Sequence, residues 1–137
     1  MPALDTNCLV RLFVRDNPVQ TAVVTALLDS GEKLHVNDVC LIETGFVLSH
    51  HYGYQRAQVA KALAFLIGQA NLVFDRSTWE SILTVYQDKP GLSLVDIYLA
   101  KSINRDGHDP LYTFDKKMQS QLQAAVFPPE GASPITG

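Results

Sequence analysis

Short apolar runs alternate along this chain with longer stretches of helical periodicity. Ala3-Leu4, Leu34-His35-Val36, Leu72-Val73-Phe74, Leu111-Tyr112-Thr113-Phe114 and Ala124-Ala125-Val126-Phe127 are the candidate strands. Between them the pattern predicts helices around Leu9, Leu12 and Phe13, from Pro18 to about Leu28, and from Asn37-Asp38 to about His51. Further helices are expected over Gln55 to Ile67, from Ser77 or Thr78 to about Gln87, over Leu94 to Arg105, and over Lys116 to Gln121. Pro18 suits a first helical position, and Ser93 suits an N-cap. Ser77 with Glu80 has the spacing of a capping box, while Gly31 and Gly53 stop the helices before them. Strands separated by helical crossovers pair in parallel and are covered on both faces, so the fold class is α/β with a mainly parallel sheet. In such sheets functional groups collect in the crevice beyond the carboxyl ends of the strands.

A chain of 137 residues, 47% apolar and 18% charged, suffices for one domain with a real core. No apolar run approaches the roughly 18 residues that span a membrane. The N-terminus has no basic segment leading into a long apolar one, so a cytoplasmic protein is expected. Cys8 and Cys40 lie among apolar neighbours with no Cys-x-x-Cys spacing, which suits core packing rather than redox chemistry. From Pro128 the composition turns to Pro, Gly and Ser, so residues 128–137 are expected to form a frayed tail on a domain of residues 1–127.

Ten of the 14 acids have ordinary places: Asp38 looks like a cap, Asp109 precedes a proline, and the others fall in loops or on exposed positions. Four do not. Asp5 ends the first strand, and Asp115 ends the strand at 111–114, each just before a helix. Either alone could be a cap; together they put a carboxylate at the end of two different strands. Glu43 interrupts a stripe of Val39, Phe46, Val47 and His50, and Asp96 sits among Leu92, Leu99, Ala100 and Ile103. A carboxylate buried on such a stripe requires a partner, whether a salt bridge or, for Asp96 in a first helical turn, the helix dipole. Four carboxylates converging on one crevice would repel unless a cation joined them, and oxygen-only donors suit Mg2+ or Mn2+. The net charge of −3 opposes nucleic-acid binding by charge alone, but setting these four acids aside turns −3 into +1.

These residues fall into four motifs. Ala3-Leu4-Asp5-Thr6-Asn7-Cys8-Leu9-Val10-Arg11 resembles the opening of a PIN domain, particularly that of the VapC toxins. Ile42-Glu43-Thr44 with Val47-Leu48 resembles the second PIN motif, Ser93-Leu94-Val95-Asp96 the third, and Thr113-Phe114-Asp115-Lys116-Lys117 the fourth. Order and spacing agree as far as about Phe127. The resemblance implies a three-layer α/β/α fold and a Mg2+- or Mn2+-dependent endoribonuclease. Asp5, Glu43, Asp96 and Asp115 would be its catalytic, metal-binding acids, with Asn7 and Thr113 supporting them. It implies a small antitoxin partner and a homodimer, to which Tyr52, Tyr54, Phe65 and Trp79 could contribute. Arg11, Arg15, Lys116 and Lys117 are placed to hold RNA phosphates, unless they only solvate their helices. His50 and His51 stand near Glu43 but at a helix C-terminus, where they can serve the dipole.

Two other enzymes or regulators fit less well. A haloacid-dehalogenase-type phosphatase needs a second Asp two residues after the first, where this chain has Asn7. A response-regulator receiver needs adjacent acids near its N-terminus. The alternative of a different kind is a PIN module that binds RNA or protein without cutting.

Overall fold

The computed structural model describes residues 1–131, so the last six positions of the expected tail, 132–137, lie outside the described residues. The elements run β1 (Ala3–Leu4), α1 (Thr6–Arg11), α2 (Pro18–Asp29), β2 (Leu34–Val36), α3 (Asp38–Tyr52) and α4 (Arg56–Ile67). They continue with β3 (Leu72–Val73), α5 (Arg76–Asp88), α6 (Leu94–Arg105), β4 (Leu111–Tyr112), α7 (Lys116–Gln121) and β5 (Ala125–Val126). Every strand pair is parallel, as helical crossovers require. The fold is α/β with three-layer α/β/α character.

The strands form two ladders rather than one. β1, β2 and β3 lie in that order, with Leu4 opposite Val36 and Leu34 opposite Leu72. β4 pairs with β5 separately, Leu111 opposite Ala125. Leu34, Val36 and Leu72 are fully buried and meet Leu9, Leu41, Leu48, Leu63, Leu66 and Ile82 in a single apolar core. Met118 and Ala125 tie the second ladder into that core.

Most helix starts carry the side chain the local sequence calls for. Asn17 caps α2 with Pro18 in its first turn, and Ser93 caps α6 by accepting from the Asp96 N–H at 3.2 Å. One expectation fails. Ser77 does not cap α5 in a box with Glu80; Asp75 does, accepting from Thr78 N and from the Ser77 and Thr78 hydroxyls. A carboxylate two residues earlier accepts from these three donors at once and holds them with charge. A capping box does form at α4, between Gln55 and Gln58.

Two arginines secure the chain where helices end. The Arg56 guanidinium donates to the carbonyls of Tyr86, Lys89 and Leu92 at 2.7–3.1 Å and lies 3.8 Å over the Tyr86 ring. Arg76 donates to the carbonyls of Ile67, Gln69 and Leu72 and covers Phe74. In each case a planar fork reaches three acceptors at once, which an ammonium does not match. Gly45 completes the approach of α3 to α6, since a Cβ there would stand 2.9 Å from Leu94 Cδ2.

Arg56→Met keeps the stem and loses the fork, whereas Arg56→Lys keeps the charge alone. Both variants are expected to lose about 2–3 kcal/mol, the scale of hydrogen bonds from a charged donor. The loss should show as a lower urea midpoint at unchanged slope. A wild-type midpoint for Arg56→Lys would show that the fork geometry is dispensable.

Candidate functional site

Asp5 follows β1 in extended backbone and caps α1, its Oδ1 accepting from the Cys8 N–H at 3.0 Å. That backbone bond, with a further contribution from the Cys8 thiol, holds the Asp5 carboxyl below its usual range. In return, burial first and the neighbouring Asp5 second push the Cys8 thiol up, which suppresses its thiolate. Asp5, Asn7, Cys8 and Arg11 line one side of a groove of about 330 Å3, with Val19, Gln20, Val23 and Val24 of α2 on the other.

Asp115 repeats the arrangement at the second ladder. It caps α7 by accepting from Lys117 N at 2.8 Å and Met118 N at 3.1 Å. Thr113 Oγ1 accepts from the Asp115 N–H at 3.0 Å, so Thr113, just past β4, orients the aspartate two residues on. Both strand-end aspartates are therefore caps, and each keeps Oδ2 outside these capping bonds.

Glu43 and Asp96 stand on packed helices, but not as the apolar stripes suggested. The buried face of α3 is Leu41, Thr44, Gly45 and Leu48. Glu43 is on the opposite side, exposed, between Val39 (62% exposed) and Phe46 (54% exposed). Its stripe is apolar yet faces solvent, so Glu43 carries no burial cost. Asp96 is half-buried in the first turn of α6; Leu92 and Ala100 beside it are buried, while Leu99 is not. The salt bridge considered for Glu43 does not form among the described residues.

The structure packs α1 against α3 and α3 against α6, which brings the elements bearing Asp5, Glu43 and Asp96 together. It carries Asp115 on the β4–α7 unit. Among the described residues, however, no three His, Cys, Asp or Glu side chains stand close enough together to hold a metal ion. The donor chemistry of the four acids suits a hard cation, but their side chains do not form a ready cage.

The sequence reading of Asp38 as a helix cap is corrected by the structure. Asn37 caps α3, accepting from Val39 N, and Asp38 turns inward instead. Its Oδ1 accepts from Trp79 Nε1 and its Oδ2 from the Tyr98 hydroxyl, each at 2.9 Å. Those partners are 41 and 60 residues away, so no local pattern could have announced them. Trp79 is fully buried and stacks near Tyr98, which removes it from any interface; Tyr52 and Phe65 stay exposed.

Cations divide in the same way. Arg11 is engaged by Asp16 and by Gln20 Oε1, so it is not a free phosphate anchor. Arg15, Lys116 and Lys117 are exposed, with no carboxylate within ion-pair distance among the described residues.

The PIN domain family model matches residues 3–122, a span that contains Asp5, Glu43, Asp96 and Asp115. The chain belongs to the PIN domain family. PIN domains are generally nucleases and usually use divalent metals. No curated protein and no solved structure matches this PIN domain. Among its described residues no helix is long and apolar enough to cross a membrane.

Asp38→Ala leaves the buried Trp79 N–H and the Tyr98 hydroxyl without their acceptor, and about 2–3 kcal/mol of stability should be lost in urea titration. Acid should act through Asp5 and Asp75, whose carboxyls are both held low, Asp75 chiefly by the Thr78 hydroxyl. A depressed folded-state value lends stability in full above about pH 4 and loses it as pH falls further. Melting temperature should therefore drop below about pH 4, and less steeply in Asp5→Asn, which still caps but does not titrate.

Proposed function

We propose that this PIN domain is a metal-dependent endoribonuclease, with Asp5, Glu43, Asp96 and Asp115 as the acids that hold Mg2+ or Mn2+. The observation that carries the reading is a family match that spans all four acids, each at the start of a helix or on its solvent face. A divalent ion supplies an acidified water and charge stabilisation at the phosphate. The chain's own part is to present oxygen donors that no ion pair neutralises among the described residues, and to present cations to flanking phosphates. Arg15, Lys116 and Lys117 suit that second task. By its resemblance to VapC toxins, the domain of residues 1–127 acts in the cytoplasm as a homodimer restrained by a small antitoxin.

A second reading, a PIN module that binds RNA or protein without cutting, has two observations in its favour. The aspartates Asp5 and Asp115 each spend an oxygen on their own helices, and among the described residues no cluster of three acids stands ready.

The two readings separate in one experiment. Purified wild type and Asp5→Asn are incubated with a mixed RNA pool in Mg2+, in Mn2+ and in chelator, and melting temperature is followed against metal concentration. The nuclease reading expects cleavage that needs both the ion and Asp5. It also expects a metal-dependent rise in melting temperature of wild type, on the order of 3 kcal/mol of stabilisation at a hundredfold excess over Kd, which Asp5→Asn loses. Full cleavage by Asp5→Asn, or cleavage in chelator, would overturn it. A folded wild type that neither cuts nor responds to metal leaves the binding module.

A further inference from the structure

Beside the Glu43 face lies a cavity that the four acids do not use. It holds about 200 Å3 between α3 and the start of α6, and among its walls are Phe46, Ser49, His50, Arg56, Ser93 and Val95. Its volume falls below the roughly 300–1,000 Å3 of drug-sized pockets, so it suits one small flat ring. Phe46 and His50 stack with ring centroids 3.9 Å apart and planes 16° apart. His50 Nδ1–H donates to the Phe46 carbonyl at 3.2 Å, which holds the imidazole in that stack. Both side chains are nonetheless exposed. A rigid pair of parallel rings facing solvent is a poor use of apolar surface in a core, and a good platform for a third ring.

Charge selects among flat ligands. Arg56 is the formally charged residue of the lining; carbonyls and the Tyr86 ring meet its guanidinium, and no carboxylate lies within ion-pair distance of it among the described residues. The lining thus carries one cation and no carboxylate in a protein of net charge −3. Ser93 Oγ accepts from the Asp96 N–H, leaving its own O–H to donate. A planar ring, hydrogen-bonding edges and an adjoining negative charge describe a nucleotide. On α3, Phe46 lies one turn from Glu43, and on α6, Val95 directly precedes Asp96.

We propose that Phe46, stacked on His50 above this cavity, is a base-binding subsite that takes one unpaired nucleobase of a single-stranded RNA next to the Glu43–Asp96 face. The inference rests on the ribonuclease reading for its location but not for its test. A base engaged this way must leave its helical stack, so paired RNA is excluded from the subsite. Phe46 here is a positioning residue that sets which strand geometry enters.

The test is a binding measurement in chelator, where no cutting occurs. Single-stranded RNA decamers carrying 2-aminopurine are titrated with wild type, Phe46→Ala, Phe46→Trp and His50→Ala. Wild type should quench the probe saturably. Phe46→Ala should bind on the order of tenfold more weakly, the effect of one lost base–aromatic stack, while Phe46→Trp restores binding. The same decamer in a duplex should not be quenched. Melting temperatures are compared first, and an exposed Phe46 predicts little change on substitution. Binding of Phe46→Ala equal to wild type, or no quenching by wild type, overturns the subsite, even if metal-dependent cleavage is found. Phe46-dependent binding by a protein that never cuts overturns the nuclease reading and leaves the subsite standing. If Phe46→Ala instead converts a dimer to a monomer in sedimentation and leaves RNA binding intact, this face joins two copies of the chain and the subsite is wrong.

Discussion

Asp38 sets the relation between the two helices that carry the inner acids. Its two carboxylate oxygens are taken by different elements, Trp79 of α5 and Tyr98 of α6, while its backbone begins α3. A buried indole N–H demands an acceptor, and an ionised one gives the stronger bond. Tyr98 answers in kind: burial, then the bond to Asp38, pushes its hydroxyl above the usual range, so it remains a donor. Asp38 lies five residues before Glu43, and Tyr98 two after Asp96. The register between the helices bearing those acids is thus fixed by hydrogen bonds that touch neither acid, and Gly45 permits the close approach that the bonds require.

The arginine forks solve the complementary problem of helix ends. A helix leaves its last carbonyls without partners, and a core crowded with short strands has little water to offer them. Arg76 collects such carbonyls where α4 passes into β3, and Arg56 where α5 passes into the turn before α6. Because cations are also favoured at the negative end of the macrodipole, neither arginine needs a carboxylate. Arg56 also gives the lining of the cavity beside α3 its formal charge.

Where the fold was legible in the sequence, a local interaction decided it. α6 begins and ends where Ser93 and Arg105 place it, and α7 spans the segment from Lys116 to Gln121 that Asp115 opens. At Asp75 the local signal was ambiguous, since Ser77 with Glu80 has the right spacing and the wrong chemistry to displace a carboxylate. At α3 periodicity misled for a different reason. The helix has two apolar faces, and a period of 3.6 residues says only that they exist, not that Leu41 and Leu48 face the core while Val39 and Phe46 face water. The division into two ladders and the contacts of Asp38 depend on residues far apart in the chain, which no window along it contains.

The surface cations carry the remaining argument. Lys116 and Lys117 occupy the first turn of α7, where the macrodipole disfavours positive charge by roughly 0.3–1 kcal/mol. Asp115 offsets part of this as the cap, yet no carboxylate pairs with either ammonium among the described residues. Arg76 occupies the same position on α5, but its carbonyl contacts account for it. Among the described residues nothing pairs with the lysines. On the nuclease reading proposed above, their counterpart is a phosphate backbone arriving from outside, and the two ammonium groups offset the repulsion that the acids at this end of the molecule exert on it.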